Sequence, residues 1–399
     1  MKVSQLTLAV AAAAVALPAM AAPEVEIFGF LDQGFTYLDE SLSVGMGGPA
    51  NADRNLAVLE NGKLAKGEHK SNFSLGTGNV STLGFRAKED ITDDLSVMAH
   101  MEMGYLLDTG EFYGGGSKMF ERESTLNVIS KTYGQLKMGR MPAMLTGSGT
   151  TGIFNSRVNP FGAGWGNMTG GWKFAGTLAA ARYDNTIHYA SPDFNGWKFY
   201  VQHSLGSTKG DNLEGSSDVD RYSAIGVTKT GDRYFLAAAV DWLKMGSPDG
   251  KDETPTLNKD SYKALVGGNY KFDDFTVYGT FQWMENIEYI GGYSTKQYAP
   301  RVNKNDVSNG FDAWAVSTGI NYPVGAGTIK FSVAYAQGEN QNTDTDNKFE
   351  RMNLGLGYVH NLSKRTSLYG ITGYFWQEAD WQEGHIRANE VIVGMMHRF

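Results

Sequence analysis

Charged side chains recur at alternate positions in several short segments of this sequence. They are Asp32, Arg86, Lys88, His100, Glu102, Arg182, Asp184 and His188. Residues two apart project from the same face of a β-strand, so neighbouring members of the set would share a face. Such a face sets the electrostatic potential of a surface and thereby attracts or repels ions. Covalent catalysis needs more, because a nucleophile must lie beside a base and an orienting group.

A second feature is a long segment without acidic residues. Residues 141–181 contain no Asp or Glu, and their only charged residues are Arg157 and Lys173. Arg140 immediately precedes the segment. Its large aromatic residues include Phe154, Phe161, Trp165, Trp172 and Phe174. The segment is therefore cationic and would attract anions.

Other constellations that carry chemistry are missing from the sequence. The chain has no Cys, which excludes disulfides, thiolate metal sites and cysteine nucleophiles. Its seven His residues lack zinc-ligand spacing, and no G-x-S-x-G serine motif occurs. Acidic stretches at 249–253 and 344–347 lack the spacing of a dedicated calcium loop, so we interpret them as solvated loops. We predict no catalytic residue, no metal and no cofactor. The net charge of −8 argues against a nucleic-acid partner.

The elements that would position the charges are β-strands. Within residues 95–107, one face would carry Leu95, Val97, Ala99, Met101, Met103, Tyr105 and Leu107. This alternation is typical of a half-buried strand, and it recurs at 197–202, 275–283 and 329–335. No period of 3.6 residues is sustained anywhere. The fold class predicted from this pattern is all-β.

Short and long connections take turns along the chain. Short turns such as 91–94 and 230–232 alternate with long polar stretches such as 39–72 and 286–310. This alternation is typical of an up-and-down membrane barrel, with short turns at one end and long loops at the other. We therefore predict a transmembrane antiparallel β-barrel of about 16 strands.

The N-terminal residues indicate export. Lys2 is cationic, residues 6–17 are apolar, and Ala19 and Ala21 supply a small-x-small cleavage pattern. The apolar run is too short to span a bilayer. We predict a Sec signal peptide at 1–21 and a single barrel domain at 22–399.

The C-terminal residues indicate how the barrel closes. One face of the last strand would carry Val391, Val393, Met395, His397 and Phe399. A terminal strand of this kind would pair with the first strand, at residues 25–38, and leave no open edge. We interpret Phe399 as an assembly signal.

Taken in order, five segments resemble the Gram-negative general porins, in the branch found in β-proteobacteria. The segments are Val25–Gly34, Ser81–Asp90, Gly134–Arg140, Arg182–Pro192 and His397–Phe399. The resemblance covers the whole mature chain. It implies a homotrimer of sixteen-stranded channels in the outer membrane, surrounded by lipid and lipopolysaccharide, with a third loop at about 141–181 folded inward. Small hydrophilic solutes and ions would pass by passive diffusion, without catalysis.

The resemblance also gives the charged residues a role. Leu83 and Phe85 would face lipid, so Arg86 and Lys88 would face the lumen, as would the other alternating charges. Enteric members of the family carry acidic residues on the third loop, and this chain has none there. We expect Arg86, Arg140, Arg157, Lys173 and Arg182 to be uncompensated at the constriction and to favour anions mildly.

Two other classes of protein remain as alternatives. An outer-membrane barrel hydrolase would need a Ser, His and acidic set at the barrel rim. A secreted β-sandwich adhesin would share the alternating strands without spanning a membrane. A hydrolase assay and a membrane-partitioning experiment separate these alternatives from a channel.

Overall fold

The computed structural model describes most of the chain outside its N-terminus and several long connections. The residues described are 24–41, 59–60, 63–64, 69–76, 78–113, 118–146, 149–162, 165–166, 182–206, 219–246, 257–290, 293–294, 309–342, 344–345, 347–380 and 385–399. The expected signal peptide at 1–21 and Lys173 lie outside these residues.

Sixteen antiparallel strands follow one another in chain order. They are β1 (Glu24–Ser41), β2 (two segments, His69–Gly76 and Ser81–Asp90), β3 (Leu95–Tyr105), β4 (Glu123–Ser130), β5 (Gly134–Pro142), β6 (Arg182–Ala190), β7 (Trp197–Ser204), β8 (Arg221–Thr230), β9 (Tyr234–Lys244), β10 (Ser261–Lys271), β11 (Thr276–Ile287), β12 (Phe311–Val324), β13 (Gly327–Asn340), β14 (Lys348–Asn361), β15 (Thr366–Ala379) and β16 (Ile386–Arg398). Two further strand pairs, 59–60 with 63–64 and 289–290 with 293–294, lie in the long connections.

The two segments of β2 form one interrupted strand. Both pair with the same neighbour, because β1 aligns Gly34 with Gly76 and Phe30 with Thr82. Counting them once gives the sixteen strands that the sequence predicts.

The barrel closes where its first and last strands meet. β1 pairs with β16 from Phe30 opposite Arg398 to Ser41 opposite Arg387. Gly29 and Phe399 extend this pairing with reciprocal backbone hydrogen bonds of 3.1 and 3.2 Å. Every described strand of the barrel therefore has a partner on both sides, which a β-sandwich would not provide. The predicted closure is confirmed, and the adhesin alternative is not supported.

The two faces of the wall differ as the alternation predicts. Leu126, Val266, Leu356 and Val393 each leave about half of their surface exposed on the outside. The inner face carries buried polar residues, among them Asn127, Gln202, Thr280, Ser332 and Asn353. An apolar outer belt around a polar interior is the arrangement that a bilayer requires of a β-barrel. Among the described residues, no helix has the length and apolarity needed to cross a membrane.

The wall is lower on one side than on the other. Strands β4 to β7 contain eight or nine residues, whereas β12 to β15 contain 14 each. At about 3.4 Å per residue and a tilt of about 40°, eight residues reach only about 20 Å along the barrel axis, and fourteen reach about 35 Å. The apolar band of a membrane barrel is about 25 Å tall, so the low side does not span it alone.

The connection between β5 and β6, residues 143–181, is the third loop, and its first part lies inside the barrel. Its buried apolar residues are Ala143, Met144, Leu145, Ile153, Phe154 and Val158. They pack on inward-facing residues of β8 to β10, namely Tyr222, Ala224, Phe235, Ala237, Ala239 and Leu265. The Gln202 side chain of β7 accepts a hydrogen bond from the Met144 N–H (2.7 Å) and donates one to the Pro142 carbonyl (2.8 Å). The inward fold of this loop is confirmed.

Inward-facing glycines leave space for the loop as it crosses the strands. A Cβ atom at Gly226 would lie 2.7 Å from Met144 Sδ and 2.9 Å from Ile153 Cδ1. A Cβ atom at Gly319 would lie 2.6 Å from Pro160. These strand positions must lack a side chain because the loop occupies the space that it would fill.

The far part of the loop reaches the last strands. Phe161 packs in a cluster with Ile371 of β15 and Ile392 of β16. The Gly166 N–H donates a hydrogen bond of 2.7 Å to the carbonyl of Gly78, in the interruption of β2. The described residues of the loop therefore follow the inner wall from β7 round to β16, and the inner faces of β2 to β6 form the opposite side of the lumen.

We expect Gly226→Val to lower the free energy of unfolding by about 1–3 kcal/mol, because the new side chain would overpack against Met144 and Ile153. The temperature at which the folded gel mobility is lost measures this effect. Gly279→Val is the matched control, since Gly279 is exposed on the outer face and an added Cβ would meet nothing nearer than 4.0 Å. Equal melting of the two variants would contradict this packing of the loop.

Candidate functional site: the charged wall of the lumen

Arg86 of β2 lies at one end of a group of charged side chains on the inner wall. Its Nη1 donates to Glu26 Oε2 at 3.1 Å, and its Nε donates to His100 Nδ1 at 3.2 Å. Its guanidinium carbon also lies 4.0 Å from the centre of the Phe28 ring. Arg86, predicted to have no acidic partner, therefore has one on the neighbouring strand.

His100 connects Arg86 to two carboxylates. Only 1% of its surface is exposed, and its Nε2 lies 3.9 Å from one oxygen of Glu102 and 3.9 Å from one of Glu123. Nδ1 accepts from Arg86, so Nε2 is the ring nitrogen that points at these two acids. Glu102 in turn accepts a hydrogen bond from Nε of Arg122.

A second group of contacts lies where β5 and β6 meet the loops. Arg140 Nη1 is 2.6 Å from Asp184 Oδ1, and Lys118 Nζ is 2.5 Å from Asp184 Oδ2. The register of β5 against β6 shifts between Gly139 and Met141, and Gly139 has a φ of 134°. This bulge turns Arg140 towards the lumen, out of step with the strand alternation.

Backbone carbonyls join the arginines of the two groups. Arg140 Nε donates to the carbonyl of Glu121 at 2.7 Å, and Arg182 Nε donates to the carbonyl of Arg122 at 3.0 Å. The Glu121 carboxylate accepts the N–H of Gly104 at 3.1 Å. Burial raises the pKa of the Glu121 carboxyl, which lies in the connection between β3 and β4.

These contacts define one assembly, which we call the charged cluster. Its basic residues are Arg86, Lys118, Arg122, Lys137, Arg140 and Arg182. Its acidic residues are Glu26, Glu102, Glu121, Glu123 and Asp184. Six basic groups against five acidic groups leave a small positive excess, with the opposite charges only a few ångströms apart.

The third loop adds positive charge on the other side of the lumen. Its described residues include Arg157 and no Asp or Glu, and the exposed guanidinium of Arg157 lies 4.7 Å from the Phe235 ring centre. Lys330 of β13 donates to the Pro160 carbonyl at 2.7 Å, with its Nζ 5.7 Å from the Trp165 ring centre. The loop therefore meets cations from the wall as well as its own.

The structure brings most of the charges predicted from sequence together and places Lys88 and Asp32 elsewhere. The structure brings together Arg86, His100, Glu102, Arg140, Arg182 and Asp184, with His188 opposite Lys137 in the pairing of β5 with β6. Lys88 lies apart at the turn end, 2.7 Å from Asp90. Asp32 is fully buried, where it accepts hydrogen bonds from the Tyr369 hydroxyl (2.6 Å) and the Asn79 N–H (2.8 Å).

Sequence reasoning missed several members of this site. Lys137 and Lys330 occupy inward positions in clearly alternating strands, so the period of two could have identified both. Glu26 lies in the same first-strand segment as Asp32 and shares its parity, so the period of two could have identified it as well. Glu123 gives no such signal, because the alternation of β4 is poor in sequence.

Comparison with known proteins agrees with this architecture. The Gram-negative porin family matches residues 7–380 of the chain. The chain is 27% identical to an outer membrane porin protein of Bordetella pertussis, with 96% of both chains covered. It is also 27% identical to outer membrane porin protein 32 of Delftia acidovorans, with both chains covered in full.

Solved structures share the fold at lower identity. An anion-selective porin from Comamonas acidovorans superposes with a TM-score of 0.61 at 19% identity, covering 94% of this chain and all of the other. The outer membrane channel DcaP of Acinetobacter baumannii gives 0.61 at 15% identity, covering 96% of this chain and all of the other. The relatives found are channels rather than enzymes. With its closed sixteen-stranded wall, its inward third loop and a family match over nearly its whole length, the chain belongs to the Gram-negative porins of the outer membrane.

Proposed function

We propose that this porin is a homotrimeric, non-catalytic diffusion channel with a mild preference for anions. The observation that carries the preference is the charge of the cluster and of the loop: six basic against five acidic groups in the charged cluster, with Arg157 on the third loop and Lys330 in contact with that loop. A positive excess in a narrow passage with low-dielectric walls raises the local concentration of anions.

The positions of the acids explain why the preference is mild. Arg86 and Arg140, expected to be uncompensated, pair with Glu26 and Asp184 on neighbouring strands. A carboxylate that close cancels most of the field that an arginine projects into the lumen. The acids stand on the same wall as the arginines and not on the third loop, so no strong field crosses the opening between the two sides.

The low side of the wall supports the trimer. Strands β4 to β7 are too short to span the apolar band, yet their outer face carries exposed residues such as Leu126 and Met138. Copies of the chain that pack low side to low side would cover this face, and closed rotational symmetry is the usual arrangement. Outer-membrane lipid and lipopolysaccharide would then contact the tall side.

In a planar bilayer with a KCl gradient, we expect the purified protein to show a reversal potential on the anion side. Conductance should appear in groups of three equal steps if three channels enter together. A cation-side reversal potential would contradict the anion preference, and single isolated steps would contradict the trimer.

Asp184→Asn should increase the anion preference, because it leaves Arg140 and Lys118 without their carboxylate partner. We expect the ratio of chloride to potassium permeability to rise about twofold, since one negative charge is removed from a narrow site. The matched control is Asp273→Asn, which removes an exposed carboxylate that pairs with Arg233 at a short turn. An equal effect of both substitutions would place the selectivity outside the charged cluster.

Leu126→Arg on the low side should convert the trimer into monomers, because it introduces a charge into an apolar contact. Light scattering in detergent measures the mass of the protein particle and thereby its oligomeric state. Leu356→Arg on the tall side is the control and should leave the trimer intact while it weakens membrane insertion. A wild-type protein that is monomeric in mild detergent would refute the trimer.

The absence of turnover with ester and peptide substrates tests the non-catalytic part of the proposal.

A further inference from the structure

A buried ion pair on the barrel wall holds the start of the third loop. The hydroxyl of Thr150 in the loop donates to Glu123 of β4, with its Oγ1 2.6 and 2.8 Å from the two carboxylate oxygens. Lys137 of β5 donates to the same hydroxyl oxygen, and its Nζ lies 3.6 Å from Glu123 Oε1. One threonine hydroxyl of the loop therefore stands between an acid and a base of the wall.

The burial of this pair makes the contact with the loop important. Glu123 is 1% exposed and Lys137 is 4% exposed, so neither charge is hydrated to any extent. Buried charges are stable only when they are paired and hydrogen-bonded. The Thr150 N–H also donates to this carboxylate at 3.4 Å, the Thr125 hydroxyl of the wall donates at 3.3 Å, and His100 Nε2 is at 3.9 Å. Thr150 thus provides the shortest hydrogen bond that the structure describes for this carboxylate.

The loop around Thr150 is compact, so holding one residue holds the segment. The Thr151 hydroxyl donates to the Pro142 carbonyl at 2.5 Å, and the Ile153 N–H donates to the Met144 carbonyl at 3.1 Å. These bonds join residues 142–146 to residues 149–153, and the apolar side chains of both pieces pack on β8 to β10. The wall contact at Thr150 lies on the other side of these pieces, facing the charged cluster.

The loop has a second point of attachment, of a different kind. Besides the backbone hydrogen bond between Gly166 and Gly78, the Trp165 ring centre lies 5.2 Å from that of Tyr369. This attachment uses backbone and aromatic contacts, and Lys330 Nζ lies 5.7 Å from the same Trp165 ring centre. At Thr150, a neutral hydroxyl forms hydrogen bonds with two buried charged side chains of the wall. The loss of these bonds would therefore affect the wall as well as the loop.

We propose that Glu123, Lys137 and Thr150 form a lock that positions the third loop and keeps the opening of the channel steady. Glu123 and Lys137 are positioning residues in this role, since they act through the loop and need not touch the solute. The proposal rests on the channel function and is independent of the anion preference.

Thr150→Val tests the lock because it keeps the shape of the side chain, removes the hydroxyl and changes no charge. We expect spontaneous and voltage-induced closures of single channels to become about tenfold more frequent, in line with the loss of a hydrogen bond to a buried charge. The open-channel current should also become noisier. The reversal potential should stay at its wild-type value, because the lumen keeps every charge. Thr150→Ser restores the hydroxyl and should restore wild-type closure.

Thr151→Val is the matched control within the loop, since its hydroxyl bonds to Pro142 and not to the ion pair. It should change closure much less than Thr150→Val. If Thr150→Val does not fold, Glu123→Gln decides, because it leaves Lys137 without its charge partner and should destabilise the open channel in the same way.

Wild-type closure frequency and noise in a folded Thr150→Val protein would overturn the lock, as would equal effects of Thr150→Val and Thr151→Val. Where Thr150→Val does not fold, steady wild-type gating of Glu123→Gln would also overturn it. Folded wild-type protein without conductance would overturn the channel function and the lock together. Cation selectivity of the wild type would overturn only the anion preference.

Discussion

The rest of this structure depends on the backbone pairing that closes the barrel. Within a bilayer, an unpaired N–H or C=O group has no water to bond to, so a sheet that crosses it must have no open edge. The pairing of β1 with β16, extended by the bonds between Gly29 and Phe399, meets this requirement. Once the wall is a closed cylinder, alternate residues are committed to lipid or to the lumen. The long connections are confined to one end, and any further structure must fit inside.

The interior is divided between the third loop and the charged cluster. The loop lies along β7 to β16, where small residues such as Ala237 and Gly226 leave space for its apolar side chains. The opposite wall, on β2 to β6, carries most of the charged cluster, and the loop side adds charges such as Lys330. The lumen therefore has one side formed mainly by apolar packing and one side formed mainly by charged side chains. The contact between Thr150 and Glu123 joins the two sides, which is why we assign it control over the opening.

Within the charged cluster, the short distances between opposite charges determine the net field more than the number of charges does. Nearly every cation has a carboxylate within hydrogen-bond or ion-pair distance, as Arg140 has Asp184 and Arg86 has Glu26. Such pairs satisfy groups that the wall partly shields from water, and they leave only a small residual charge for passing ions. This small residual charge is the basis of the weak anion preference that we propose. In the proposed trimer, the low side of the wall is the face that would pack against neighbouring copies.

The sequence by itself determined the strands, their number, the face of each that meets lipid and the closure at Phe399. It could do so because a period of two and the alternation of turns and loops are local properties, and the bilayer enforces them on every strand. Tertiary structure alone decided which charges pair. Glu26 and Arg86 are 60 residues apart in the chain, the bulge at Gly139 turns Arg140 out of its expected parity, and Thr150 meets Glu123 only because the loop folds back. These contacts depend on the register of strand pairing and on the folding of the loop, which bring together residues that are far apart in the chain, and no local pattern encodes them.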